Sequence, residues 1–269
     1  MKPQLILSFL LSLAWLSPLQ ADDCAPTNID GWTQASYALS GDRIIVNNKT
    51  LKLIGLHAPQ QEKKQKFNVN AQPLAEAAQD RLNRLLANHG MEVGIEYDQR
   101  RVDEFGAAEA HVFIRQNGQI VSLQKAMLET GFALAKTETP NLAHQSCYYR
   151  AEQSARQRGA GLWQLAEQRP ELRFPIAPSS EITTANEGFH IYKGEIVKVD
   201  RSGKNYILNM DTTGLRIRKK DWSHFDFDRL KALEGQVVEA RGYGFLYDGA
   251  MFVKIHAPYA IDKLNPALD

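Results

Sequence analysis

Three short strand-like runs follow one another over residues 36–39, 43–46 and 50–54, separated by Ser40-Gly41-Asp42 and Asn47-Asn48-Lys49. Glycine, asparagine and aspartate at the separators are turn formers, so this stretch reads as a meander of short strands. That start excludes an all-helical chain. A helical pattern follows over 71–88, where Leu74, Ala78, Leu82, Leu85 and Leu86 recur at helical spacing before Asn88-His89-Gly90. Strand patterns return over 91–97 and 110–115, with Gln116-Asn117-Gly118-Gln119 as a hairpin turn. Two more helices, over 121–130 and 148–158, end at Gly131 and at Gly159-Ala160-Gly161.

The composition then breaks. Residues 173–180 read Arg-Phe-Pro-Ile-Ala-Pro-Ser-Ser, and beyond them lie strand patterns at 192–199, 206–210, 215–218, 237–242 and 251–255, with one short helical stretch near 227–233. A chain of 269 residues has room for two small domains. The expected class is therefore mainly β with packed helices. A first domain spans 24–172, a linker 173–187, and a second, mostly β domain 188–269.

The N-terminus fixes the expected compartment. Lys2 precedes an apolar run from Leu5 to Leu16, and Ser17-Pro18-Leu19-Gln20-Ala21 ends it on a small residue, the layout of a secretory signal peptide over 1–21. The expected location is the periplasm or the medium. In an oxidising compartment the two cysteines, Cys24 and Cys147, most simply form one disulfide. Their separation excludes a C-x-x-C redox centre.

Several motifs of the first domain, taken together, resemble the thermonuclease (staphylococcal-nuclease-like) family. They are Ser40-Gly41-Asp42-Arg43, Leu51-Lys52-Leu53-Ile54-Gly55-Leu56-His57-Ala58-Pro59-Gln60, Asp103-Glu104-Phe105-Gly106-Ala107, Gly131-Phe132-Ala133, Ala155-Arg156 and Gly159-Ala160-Gly161-Leu162-Trp163. The resemblance covers about residues 32–165. It implies a nuclease-like OB-fold β-barrel packed with helices, and hydrolysis of DNA and RNA with calcium. In that family two acids hold the metal, a glutamate handles the attacking water and two arginines clamp the phosphate.

Carried onto this chain, the first acid is Asp42, while the second is His57, the glutamate is Gln60, and the arginines are Lys52 and Ala107. Each change has a chemical consequence. Calcium prefers oxygen to imidazole. Glutamine accepts no proton. Lysine keeps the charge but loses the bidentate fork, and alanine removes a donor. The expected site is a degenerate one. A rebuilt alternative has Asp42 and His57, with His111 as a further candidate, holding zinc or manganese rather than calcium, since imidazole suits those ions. Glu62, Glu104 or Glu109 would then replace the lost base.

The second domain resembles the OB-like β-barrel domain that follows the nuclease domain in some exported bacterial members. Its candidate binding residues are Arg201, Lys204, Arg216, Arg218, Lys219 and Lys220, set against the single acid Asp211 and followed by Trp222, Phe225, Phe227, Tyr243, Phe245 and Tyr247. Basic residues interleaved with rings suit single strands. The whole chain has 32 basic and 31 acidic side chains, so a nucleic-acid partner rests on this local patch and not on a general positive field. Three functions follow: a non-hydrolysing binder of single-stranded nucleic acid or another ligand, a metal-dependent nuclease or phosphodiesterase, or an envelope module that meets a protein or glycan.

Overall fold

The computed structural model describes residues 24–62 and 71–268, so the expected signal peptide lies outside the described residues. The first barrel begins with β1 (Gly31–Ser40), β2 (Arg43–Val46), β3 (Lys49–Leu53) and β4 (Leu56–His57), followed by α1 (Ala75–Asn88). Then come β5 (Glu92–Glu96), β6 (Ala108–Gln116), β7 (Gln119–Ser122), α2 (Leu123–Glu129), β8 (Leu134–Ala135), α3 (Gln145–Gln157) and α4 (Leu162–Gln168).

Register shifts between Ala35 and Tyr37 and between Ala38 and Ser40 bend β1. Its first half pairs with β5 and its second half with β2. Bulges of this kind turn barrel corners. The parallel pairing of β3 with β6 closes a ring of five strands in the order β1-β2-β3-β6-β5. Ile44, Leu53, Val93 and Val112 fill it, and Ala78, Leu82 and Leu86 on one face of α1 pack into the same core. Asn117 and Gly118, both at positive φ, make the tight β6–β7 turn.

Two sequence motifs meet back to back. A Cβ on Gly131 would lie 2.1 Å from the Ala160 carbonyl oxygen, and one on Gly161 would lie 2.4 Å from the Gly131 oxygen. Only glycine allows this approach, which brings α4 against the end of α2. The Cys24–Cys147 disulfide, with Cα atoms 5.5 Å apart, ties the first described residue to α3.

The second barrel follows the same plan. Its elements are β9 (Ile176–Pro178), β10 (Gly188–Glu195), β11 (Lys198–Arg201), β12 (Asn205–Asn209), β13 (Thr213–Arg218), α5 (Phe227–Lys231), β14 (Val237–Tyr247) and β15 (Ala250–Ile255). The sheet runs β11-β12-β13-β15-β14-β10-β9. β10 and β11 are two halves of one run. At the bend, the Ile196 N–H bonds to Gln236 beside β14, and the Val197 N–H bonds to Asn209 on β12. The chain thus crosses from one neighbour to the other and joins the two sides of the sheet. β13 and β15 are parallel, as β3 and β6 are, and a helix precedes the fourth strand in both barrels.

The two barrels are fastened together. Residues 173–187 connect them as packed chain, with Phe174 buried in a cluster with Leu134, Trp163, Phe189 and Ile191, and β9 paired to β10. Arg241 of β14 is buried and donates to both carboxylate oxygens of Glu152 on α3, at 2.8 and 2.7 Å, and to the Ala135 carbonyl at 3.1 Å. Arg156 forks onto Glu239 at 2.6 and 2.9 Å. Among the described residues no helix is long and apolar enough to cross a membrane.

Candidate functional site

The Ser40-Gly41-Asp42 turn between β1 and β2 presents Asp42 at the barrel mouth. A Cβ on Gly41 would meet Ala58 at 2.6 Å and Ala78 at 2.8 Å, so glycine lets this turn sit against α1. The Asp42 carboxylate accepts the Ser40 hydroxyl at 2.6 Å and lies 3.5 Å from Arg43. Burial opposes its ionisation, yet Arg43, the Ser40 hydroxyl and Lys136 together hold it below the usual carboxylate range.

His57 ends β4 and is 1% exposed. Its Nδ1 is 3.9 Å from Asp42 and 3.3 Å from the Tyr243 hydroxyl of the second barrel. The Phe189 ring packs against it at 4.6 Å. Nε2 is buried without a partner. Burial pushes the imidazole down to about 3, so it is neutral at pH 7.

Lys52 is committed elsewhere. Its ammonium donates to Glu109 at 2.7 Å and to Glu138 at 3.1 Å. Arg100 contacts the same two carboxylates at 2.9 and 3.2 Å, and Lys136 reaches Glu138 at 2.7 Å. Burial works against the Glu138 carboxylate, but Lys136 and Lys52 hold it down at about 2. Three cations thus share two acids, which leaves a single surplus charge.

Gln60 lies with Asp42, Arg43, Glu62 and Ala107 around a pocket of about 430 Å³ on the first barrel. The Gln60 N–H donates to the Gln72 side-chain oxygen and the Gln60 carbonyl accepts the Gln72 N–H, both at 2.8 Å. Of the three glutamates considered as bases, Glu62 alone lines this pocket. Glu109 is buried under Lys52 and Arg100, and Glu104 lines a different cleft.

His111 stands apart from this group. Its Nδ1 is 2.8 Å from the Tyr148 hydroxyl, its Nε2 is 3.5 Å from Asp98, and its ring packs on His144 at 4.8 Å. Among the described residues no three histidine, cysteine or carboxylate side chains gather as a metal cage. One carboxylate and one imidazole under two aromatic rings do not match the six to eight oxygens that calcium takes. They also fall short of the three protein ligands of a catalytic zinc site.

A second and larger cleft, about 570 Å³, lies between the barrels. Arg43, Lys52, Arg100 and Lys136 face it from the first barrel, and Arg218, Lys220 and Lys254 from the second. No ion pair reaches Arg218, Lys220 or Lys254 among the described residues. Asp103, Glu104 and Glu138 are the acids in its lining.

The six basic residues singled out by sequence therefore divide. Arg218 and Lys220 face the cleft. Arg216 lies over the Phe252 ring at 5.0 Å on the outer face. Arg201 covers Trp222 at 4.7 Å, beside the Tyr206–Trp222 stack. Lys204 sits in the β11–β12 turn, where its carbonyl accepts the Lys219 N–H at 2.9 Å. Sequence reasoning missed Lys136 and Lys254, which carry no local motif, and Phe189, whose place over His57 depends on how the barrels dock.

The sequence model of the family described as staphylococcal nuclease homologue matches residues 50–165. That span holds Lys52, His57, Gln60 and Ala107, and it starts after Asp42. No curated protein matches the chain.

Proposed function

Because residues 50–165 form a staphylococcal-nuclease-like domain, we propose that the protein is an exported nuclease relative that holds nucleic acid between its barrels without cutting it efficiently. The observation that carries this reading is the burial of His57 beneath Phe189 and Tyr243. Where the family resemblance implies a metal-holding acid, this chain has a neutral ring covered by its own second domain.

The hydrolytic groups are weakened in the same direction. Gln60 takes no proton from water. Lys52 and Arg100 already bind carboxylates, and Ala107 offers no donor, so charge developing on a phosphate meets little compensation here. Binding is better served. Arg218, Lys220 and Lys254 present free charge to a cleft that already holds Arg43, a disposition suited to a phosphodiester backbone. The Lys2-led apolar run and the Cys24–Cys147 disulfide support export.

A second reading, hydrolysis by rebuilt groups, draws on Glu62, which shares a pocket with Asp42. Both readings are tested by incubating the mature chain with labelled DNA and RNA in calcium, magnesium, manganese and zinc. Intact substrate in every metal supports binding alone. Chelator-sensitive cleavage that Glu62→Gln abolishes would establish the enzyme instead.

A further inference from the structure

The outer face of the second barrel carries a line of rings and cations, of which Tyr243 also reaches His57 and, among the described residues, the other rings make no contact with the first barrel's site. Along β14, Tyr243, Phe245 and Tyr247 point outward and are 41%, 46% and 69% exposed. Two-residue steps on a strand advance about 6.8 Å, so the three rings form a regular ladder. Phe252 on β15 is the register partner of Phe245, and their rings stack at 5.6 Å with planes 24° apart. Arg216 lies over Phe252 at 5.0 Å, and Lys254 stands 5.8 Å from the Phe245 ring.

Strand alternation explains the grouping. Arg216 and Lys254 are register partners on β13 and β15, and both share the outward side with Phe252. The strip also runs into the cleft, because Tyr243 and Lys254 line both. Asp248 stands at its far turn, and Glu187 accepts the Leu246 N–H on one edge. Large rings left in water on a surface mark an interaction site.

We propose that this strip is a stacking platform for the unpaired bases of a single-stranded nucleic acid whose backbone lies in the cleft. The proposal rests on the cleft reading above and deepens it, by giving the protein a preference for single strands over duplex. Bases in a duplex already stack on one another and offer no free face. Unpaired bases stack on exposed rings whatever their identity, and a guanidinium or ammonium beside the ring holds the adjoining phosphate. Sugars also pack on rings, but the charged side chains placed against these rings, Arg216 and Lys254, are cations, which favours a polyanion over a neutral glycan.

The test uses the full mature chain with its disulfide intact. Fluorescence anisotropy follows labelled oligothymidylate and a duplex of equal length. Phe245→Leu keeps apolar bulk and removes the ring, and Tyr247→Ser removes the most exposed ring. Each is expected to weaken single-strand binding roughly tenfold while leaving duplex binding unchanged. In Phe245→Trp, the indole fluorescence should be quenched as the strand is added.

Unchanged single-strand affinity in both ring variants would overturn the platform. If Arg218→Gln with Lys220→Gln still weakens binding in that case, the cleft reading stands alone. A native chain that binds neither strand nor duplex removes the cleft reading and the platform with it. Displacement of the strand by chitohexaose at lower concentration than unlabelled oligothymidylate would make the strip a glycan site and overturn the proposal.

Discussion

The Tyr243 hydroxyl lies 3.3 Å from Nδ1 of His57, although 186 positions separate the two residues in the chain. The contact joins the second barrel to the position where a metal-binding acid is expected. Phe189 from β10 lies on the same imidazole, so the site and the domain interface are one structure. A change at either residue is felt in both.

His57→Asp, the substitution that restores the acid, is therefore expected to be harmful. It sets a second carboxylate against Asp42 beneath two rings, where like charges and burial both oppose ionisation. We expect a loss of about 1–3 kcal/mol in urea unfolding. Calcium should not raise the melting temperature of this variant, because two carboxylates packed beneath Phe189 and Tyr243 still fall short of the roughly six to eight oxygens calcium takes. A calcium-dependent rise would contradict the account of the site.

Acid should weaken the protein through its buried histidines. Burial holds His57 at about 3 and His190 at about 4, against 6.5 in the unfolded chain. As pH falls below 6.5 the unfolded chain gains these protons and the folded protein does not, so stability drops. The window extends to about 4 for His190 and about 3 for His57. Glu138, held at about 2, adds its own loss only below its ordinary value of 4.5. Between pH 6.5 and 5 each histidine contributes at most about 2 kcal/mol. Urea midpoints across that range should fall, and His190→Gln should fall less steeply. An equal slope in His190→Gln would contradict this.

Glu152→Gln tests the joint between the barrels. It leaves the Arg241 guanidinium buried with a neutral partner, and breaking a buried pair costs about 3–5 kcal/mol. Glu152→Gln paired with Arg241→Met should recover much of that loss. Calorimetry is the direct readout: the native chain should melt in one transition, and the single variant should separate into two.

Reduction of Cys24–Cys147 opens a loop of 123 residues. On chain-entropy grounds its loss costs up to about 4–5 kcal/mol. Cys24→Ser should lower the urea midpoint accordingly. The first barrel should keep its far-ultraviolet circular dichroism, because its ladder pairings do not involve residue 24.

The succession of strands along the chain was largely legible in the sequence, since turn residues between short apolar runs are local signals. Asn117-Gly118 marked its hairpin, and the Leu82–Leu85–Leu86 spacing marked α1. The bends that close the barrels were not legible. A run such as residues 192–199 looks continuous, and only its two different neighbours show that it turns at Ile196-Val197. The same limit hid the cleft. Tyr243, Phe245 and Tyr247 alternate identically along β14, yet the first reaches His57 and the other two face water. The basic run near residue 216 looked like one patch. Its members lie on β11, in the β11–β12 turn, on β13 and in the turn after β13, and that spread along the sheet divided it.

The most direct measurement combines binding and integrity in one tube: labelled single-stranded DNA, the mature chain and calcium, over a series of salt concentrations. The bound strand should stay full length. The logarithm of its affinity should fall linearly with that of salt, by roughly 0.7 for each phosphate contact, with a shallower slope in Arg218→Gln/Lys220→Gln. A strand that shortens with time in calcium would contradict the central claim.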